Sequence, residues 1–201
     1  MTAVLRRNAT KGRGSPVAIP KRLGLMTLGA IPIALIVWLL TSYRISKFQG
    51  DGVISDTGFW SYPRYHVALN VIPLFETSAY KFSLAGLPPE KMTLSLDLPG
   101  KSEEDRITLS KLRNKIDASV VDDQGHVVCK VSGFISDGIT ESGWIITSTN
   151  SSAAIYQKAC ADMPIHNHRT YVLTVRLSNV DPDSKAIYLK PYISGGGNEL
   201  P

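Results

Sequence analysis

Residues 91–98 read Lys-Met-Thr-Leu-Ser-Leu-Asp-Leu, and their alternation decides the fold class. Met92, Leu94, Leu96 and Leu98 take every second place, with Lys91, Thr93, Ser95 and Asp97 between them. A period of two is the strand period, so one set faces a core and the other faces outward. The same rhythm extends both ways along the chain. Upstream, Tyr65, Val67, Leu69 and Val71 alternate with Arg64, His66 and Asn70, and Tyr80, Phe82 and Leu84 alternate with Lys81 and Ser83. Downstream, Tyr171, Leu173, Val175 and Leu177 alternate with Val172, Thr174, Arg176 and Ser178. After the turn Asn179-Val180-Asp181-Pro182-Asp183, Ile187, Leu189, Pro191 and Ile193 read as the return strand of that pair.

Between these runs lies a hairpin. Ile116, Ala118 and Val120 lead into Asp122-Asp123-Gln124-Gly125, and His126–Ile135 follows with Val127, Cys129 and Val131 on one face. Gly at the close of such a turn supplies the positive φ it needs. Trp144–Thr147 is a further short strand, and residues 153–161 suit a strand or a helical turn. Residues 102–114 are read as a strand or irregular edge. Ser102 and Asp105, with Leu109, Leu112 and Ile116 on one face, also fit a short helix. About eight or nine short strands, separated by Pro, Gly and Asp turns, make an antiparallel β-sandwich. Jelly-roll and immunoglobulin-like connectivity both stay open.

Ahead of the strands, Leu23–Tyr43 reads LGLMTLGAIPIALIVWLLTSY without a charge. At about 1.5 Å per residue, roughly 20 such residues cross a hydrocarbon core of roughly 30 Å as a helix. Arg6, Arg7, Lys11, Arg13, Lys21 and Arg22 precede it, and only Arg44 and Lys47 follow closely. The positive-inside rule then leaves the N-terminus in the cytoplasm and exports the rest. A cleaved signal peptide is the rival, but the basic tail is long and Thr41-Ser42-Tyr43-Arg44 is a poor cleavage site. The organisation expected is a basic tail over 1–22, a membrane helix over 23–43, a linker over 44–63 and a β-domain over 64–201.

The formal charge of +5 conceals a division. Residues 1–49 hold eight Lys/Arg and no acid, whereas residues 50–201 hold fourteen Lys/Arg against seventeen Asp/Glu, a net of −3. The basic character is a topology signal with a possible contact to anionic lipid. It is no nucleic-acid footprint, since the folded part shows no basic patch interleaved with aromatics. The two cysteines, Cys129 and Cys160, are expected to form a disulfide in an oxidising compartment.

No catalytic signature stands out. The best metal candidate is Asp162 with His166 and His168, which an enzyme would complete with a ligand such as His126. Their order fits no motif of defined geometry, so a solvated loop is the reading taken. There is no Gly-x-Ser-x-Gly, and Glu103-Glu104-Asp105 reads as a solvated charge run. Gly195-Gly196-Gly197 is read as a flexible terminus, or otherwise as a tight backbone approach to a neighbouring strand. Neither a catalytic residue, a metal nor a cofactor is expected. Trp60, Tyr62 and Trp144 are the candidate interaction residues, because exposed aromatics anchor interfaces.

The runs YKFSLAGLP, VVDDQGHVVCKVSG and RTYVLTVRLSNVDP and the ending GGGNELP, within Tyr80–Pro201, resemble uncharacterised bacterial envelope proteins with one N-terminal anchor and a β-sandwich. That resemblance implies an inner-membrane anchor and a periplasmic domain, and it brings no functional residues with it. The expected role is a non-catalytic protein-interaction module of the cell envelope, single-pass in the membrane. A glycan- or small-ligand-binding domain and a metal-dependent hydrolase are the alternatives.

Overall fold

The computed structural model describes residues 32–33, 35–36, 47–57, 64–136 and 143–195. The chain divides into two compact units, Met1–Leu40 and Thr41–Pro201. In the first, Pro32, Ile33, Leu35 and Ile36 are helical, and the three aliphatic side chains are exposed. The rest of the expected membrane span lies outside the described residues. Among the described residues no helix is long and apolar enough to cross a membrane.

The second unit is mainly β. Its strands are β1 (Gln49–Gly50), β2 (Val53–Asp56), β3 (Tyr65–Ala68), β4 (Ile72–Pro73), β5 (Ala79–Ala85), β6 (Lys91–Leu98) and β7 (Lys115–Asp122). They continue with β8 (Val127–Ser136), β9 (Trp144–Ser148), β10 (Ala153–Tyr156), β11 (Met163–Pro164), β12 (Thr170–Ser178) and β13 (Tyr188–Gly195). They form one curled, mixed sheet in the order β1-β5-β12-β7-β8-β9-β10-β6-β13-β3-β2, with β11 on β6 and β4 on β13. Among the described residues only β8 and β9 run parallel, through Ile135–Trp144 and Ser136–Ile145.

The pairings are nested. Strand β3 pairs with β13, β5 with β12, β6 with β10, and β7 with β8, all antiparallel. The expected hairpin of β12 with β13 is therefore corrected: the alternation of each strand is right, but they lie in different parts of the sheet. A polar contact fixes the connection between them. Buried Asn114 donates through Nδ2 to Leu74 O at 2.8 Å and to Ser184 Oγ at 3.4 Å. Ser184 Oγ in turn donates to Asp181 O at 2.6 Å. A buried amide left without these partners would cost about 1–3 kcal/mol, so the contact ties the residue ahead of β7 to the link between β12 and β13.

For residues 102–114 the strand or irregular edge is corrected in favour of the short helix, which occupies 103–110. A short 3-10 turn (Glu103–Asp105) leads into α1 (Arg106–Ser110), and Ser102 N–H donates to Asp105 Oδ2 at 3.0 Å. In a strand Ile107 and Leu109 would share a face. Here Ile107 is 69% exposed and Leu109 is 1% exposed, and Leu109 and Leu112 reach the core together. The β7–β8 hairpin carries an irregularity too. Val120 pairs with Cys129 but Val121 pairs with Val127, which leaves Val128 as an extra residue. The bulge turns Val127 outward, 57% exposed, and lets Val128 rest against the core.

Among the described residues the buried apolar side chains form one cluster, with Leu94, Leu96, Leu84, Leu173, Ile155 and Ile193 fully buried in it. Cys129 on β8 and Cys160, in the 3-10 turn Lys158–Cys160, stand at disulfide distance with Cα atoms 5.1 Å apart. Closing a loop of about 30 residues restricts the unfolded chain by about 3–4 kcal/mol in the entropy model. Part of the expected linker belongs to the sheet, since β1 lies along β5. Gly50 permits this with a φ of +140°, and a Cβ there would meet Ser83 O at 2.1 Å. Gly195 is a tight backbone approach: a Cβ on it would stand 2.2 Å from Lys91 O. Gly196 and Gly197 lie outside the described residues.

Candidate functional site

The outward phase of β3, β13, β6 and β10 gathers groups that alternation alone marks only as solvent-facing. Register builds the patch in rows. Ala68, Tyr192, Ser95 and Tyr156 lie opposite one another across the four strands. On one side of that row are His66, Ser194 and Thr93; on the other are Lys190, Asp97 and Ala154. All of these side chains are half-buried. Tyr156 and Tyr192 flank Ser95 two strand spacings apart, about 10 Å. Their rings rise from a floor of Ala, Ser and Thr, which leaves polar atoms reachable beside aromatic surface.

Electrostatics bind the patch together. Burial raises the Asp97 carboxyl above its ordinary value, and the Lys190 ammonium opposite, the Ser95 hydrogen bond and His66 pull it partway back. Burial lowers the His66 imidazole, and Asp97 opposes that shift. Burial and the Asp97 charge both raise the Tyr192 phenol. The His66 and Tyr192 rings lie 5.2 Å apart at 42°. His66 Nδ1 is buried without a hydrogen-bond partner among the described residues. Mutually perturbed titratable groups on one surface mark a candidate site, because structural charges are usually arranged to relieve one another. The patch can donate and accept hydrogen bonds and can stack a ligand on its rings.

The other polar cluster is at the end of the β7–β8 hairpin. Asp122 accepts at Oδ1 from the backbone N–H of Gln124 at 3.0 Å and of His126 at 2.8 Å. Its Oδ2 lies 3.2 Å from His126 Nδ1 and also accepts from Arg169. Burial by itself would raise this carboxyl, but the His126, Gln124 and Arg169 donors outweigh it and hold it down at about 2. So many donors engage Asp122 that little acceptor capacity remains for a ligand. The cluster pins the turn to the start of β12.

The residues singled out from sequence fare unequally. Trp144 is corrected: it is 0% exposed, and its indole N–H donates to Ile116 O at 2.9 Å, so it is a core residue and lines no exposed groove. Trp60 and Tyr62 lie outside the described residues. Cys129 and Cys160 are brought together. The His166 and His168 rings stack 6.2 Å apart, and His168 Nδ1 lies 2.7 Å from Asn167 Oδ1. Among the described residues no three His, Cys, Asp or Glu side chains are grouped to hold a metal ion. His126 joins Asp122 rather than Asp162. His66, Asp97, Tyr156, Lys190 and Tyr192 were not singled out. The available signal was a ring in the outward phase of a strand, as Tyr192 is between Pro191 and Ile193. Comparisons with family profiles, with curated proteins and with solved structures find no match to this chain.

Proposed function

We propose that this chain is a non-catalytic binding module held at a bacterial inner membrane by an N-terminal anchor, with the β-domain in the periplasm and a protein of the cell envelope as its partner. The nested pairing supports a β-sandwich of jelly-roll rather than immunoglobulin-like type. With β1, β2, β4, β9 and β11 set aside, the first of the eight remaining strands pairs with the last, the second with the second last and so inward, giving two four-stranded sets, β3-β13-β6-β10 and β5-β12-β7-β8. The uncharged Leu23–Tyr43 run behind six basic residues supports the anchor. An anchored domain meets membrane partners at raised effective concentration.

The observation that carries the binding role is the half-buried patch of His66, Asp97, Tyr156 and Tyr192. Tyrosine at the centre of a surface patch is a frequent anchor of protein interfaces. A second reading, a glycan ligand, draws on the Asp97 and Lys190 polar groups set beside the two tyrosine rings. Fold alone decides neither.

The test is recovery of crosslinked partners from detergent-solubilised membranes with the wild-type chain and with Tyr192→Ala. A central anchor is worth about 2 kcal/mol or more, so recovery of a recurrent protein should fall at least about tenfold while the urea midpoint holds. Undiminished recovery of the same protein would exclude this patch. Loss of a bound saccharide without change in any protein partner would favour the glycan.

A further inference from the structure

The opposite surface of the sheet carries a charge that the domain as a whole does not. We infer that the outward face of β5-β12-β7-β8 docks against anionic phospholipid headgroups of the bilayer that holds the anchor, so that the Tyr192 patch on the other face is presented away from the membrane. This inference rests on the anchor reading above.

Residues 50–201 sum to −3, yet the outward phase of these four strands bears Lys81, Lys115, Lys130 and Arg176 against one carboxylate, Asp117. Lys81, Lys130 and Arg176 are exposed. Asp117 stands opposite Arg176 and 3.8 Å from the Lys115 ammonium, so the four strands keep an excess of three positive charges, which Asp51 beside β1 lowers to two. Asp51 lies at the β1 edge, where its carboxylate accepts from Ser83 N–H at 2.7 Å. Register spreads the charge: Lys81, Thr174, Ser119 and Lys130 form one row across four strands, about 14 Å wide. Phe134, opposite Lys115, adds a partly exposed ring at the far edge. The acids of the domain are mostly elsewhere, in turns such as Glu103-Glu104-Asp105 and Asp181–Asp183.

Two facts select lipid as the occupant. The first is charge complementarity, since each Lys or Arg held near an anionic bilayer is attracted to it within a Debye length. The second is reach. Strand β1 is the edge of this same face and pairs with β5. Gln49 follows the last residue of the expected span, Tyr43, by six residues, so chain length alone keeps that edge within about 20 Å of the bilayer.

The experiment uses the full chain in nanodiscs, either all zwitterionic or rich in phosphatidylglycerol, with a quencher on the headgroups. A fluorescent amino acid replaces Ser132, on the basic face, or Thr147, on the opposite one. The Ser132 probe should show a docked population at least roughly tenfold higher on the anionic discs. It should fall to the zwitterionic level at about 0.5 M salt, where screening acts within a few ångströms. The Thr147 probe should stay unquenched throughout. Lys81→Glu with Lys130→Glu should abolish docking, whereas Lys158→Glu with Lys185→Glu, an equal charge change off the face, should leave it. Urea midpoints of both double variants show that the fold persists. Equal Ser132 quenching on both discs, or quenching of Thr147, in a firmly inserted chain overturns this inference alone. A chain that alkaline carbonate strips from the discs overturns the anchor reading and this inference with it.

Discussion

The Asp122 end of the β7–β8 hairpin and the Asp97 face of β6 hold the same side chain in opposite circumstances. Asp122 accepts from two backbone N–H groups, an imidazole and a guanidinium, which hold its carboxyl at about 2. Asp97 is half-buried with Lys190 opposite and Ser95 beside it, and its carboxyl is raised. Where donors were recruited, a carboxylate serves the fold. Where burial outruns the donors, the charged form is disfavoured and the carboxylate adds little to the fold.

The largest expected effect comes from separating the two regions. The Cys129–Cys160 pair joins the hairpin to the segment that leads into β11, which pairs with β6. Cys129→Ala with Cys160→Ala should lower the unfolding free energy of the detergent-solubilised chain by about 3–4 kcal/mol in urea titration. A loss under about 1 kcal/mol would mean that packing alone couples hairpin and patch.

Next comes Asp122→Asn, which tests the saturated carboxylate. An unfolded Asp titrates near 3.9, so a folded value of about 2 stabilises fully above about pH 4 and loses that contribution as the pH falls towards 2. The variant should have a lower urea midpoint at neutral pH and a shallower decline between pH 4 and 2. Parallel curves for variant and wild type would deny that these donors stabilise the ion.

Asp97→Asn should have the smallest effect, within about 1 kcal/mol at neutral pH, because it removes a burial penalty along with the Lys190 attraction. The sign is opposite to that of Asp122. A raised carboxyl penalises the folded state above its folded value, and the penalty fades as the pH drops through the unfolded one. The wild type should therefore gain on the variant as acid is added. A neutral-pH loss as large as that of Asp122→Asn would erase the distinction between the regions.

Strand phase was legible wherever side chains alternate without interruption, as over Met92–Leu98 and Tyr171–Leu177, since burial there follows period two. Pairing was not, because it depends on contacts far apart in sequence: β12 lies between β5 and β7, and β13 between β6 and β3, rather than against each other. Val127 shows a local limit as well, since one bulged residue reverses its side. The patch was hidden for a different reason. Its members are scattered over β3, β6, β10 and β13 and meet only through register. Trp144 misled because a large ring beside polar residues suits an interface and a core equally until its indole N–H finds Ile116 O.

The nesting of the strands also sets an order of assembly. A chain emerging N-terminus first exposes β3, β5 and β6 before β13, β12 and β10 exist, and only short-range pairs such as β2–β3, β7–β8 and β9–β10 can close locally. Each wider pair must then close a longer loop, which makes late pairing slow. Strand β13 comes last and lies between β6 and β3 while also holding β4. Until Gly195 has emerged, Leu94, Leu96 and Val67 have no complete sheet to cover them. The domain should therefore depend on a holding chaperone for as long as its final strand is in transit, and a ribosome stalled before Tyr188 should display a protease-sensitive chain.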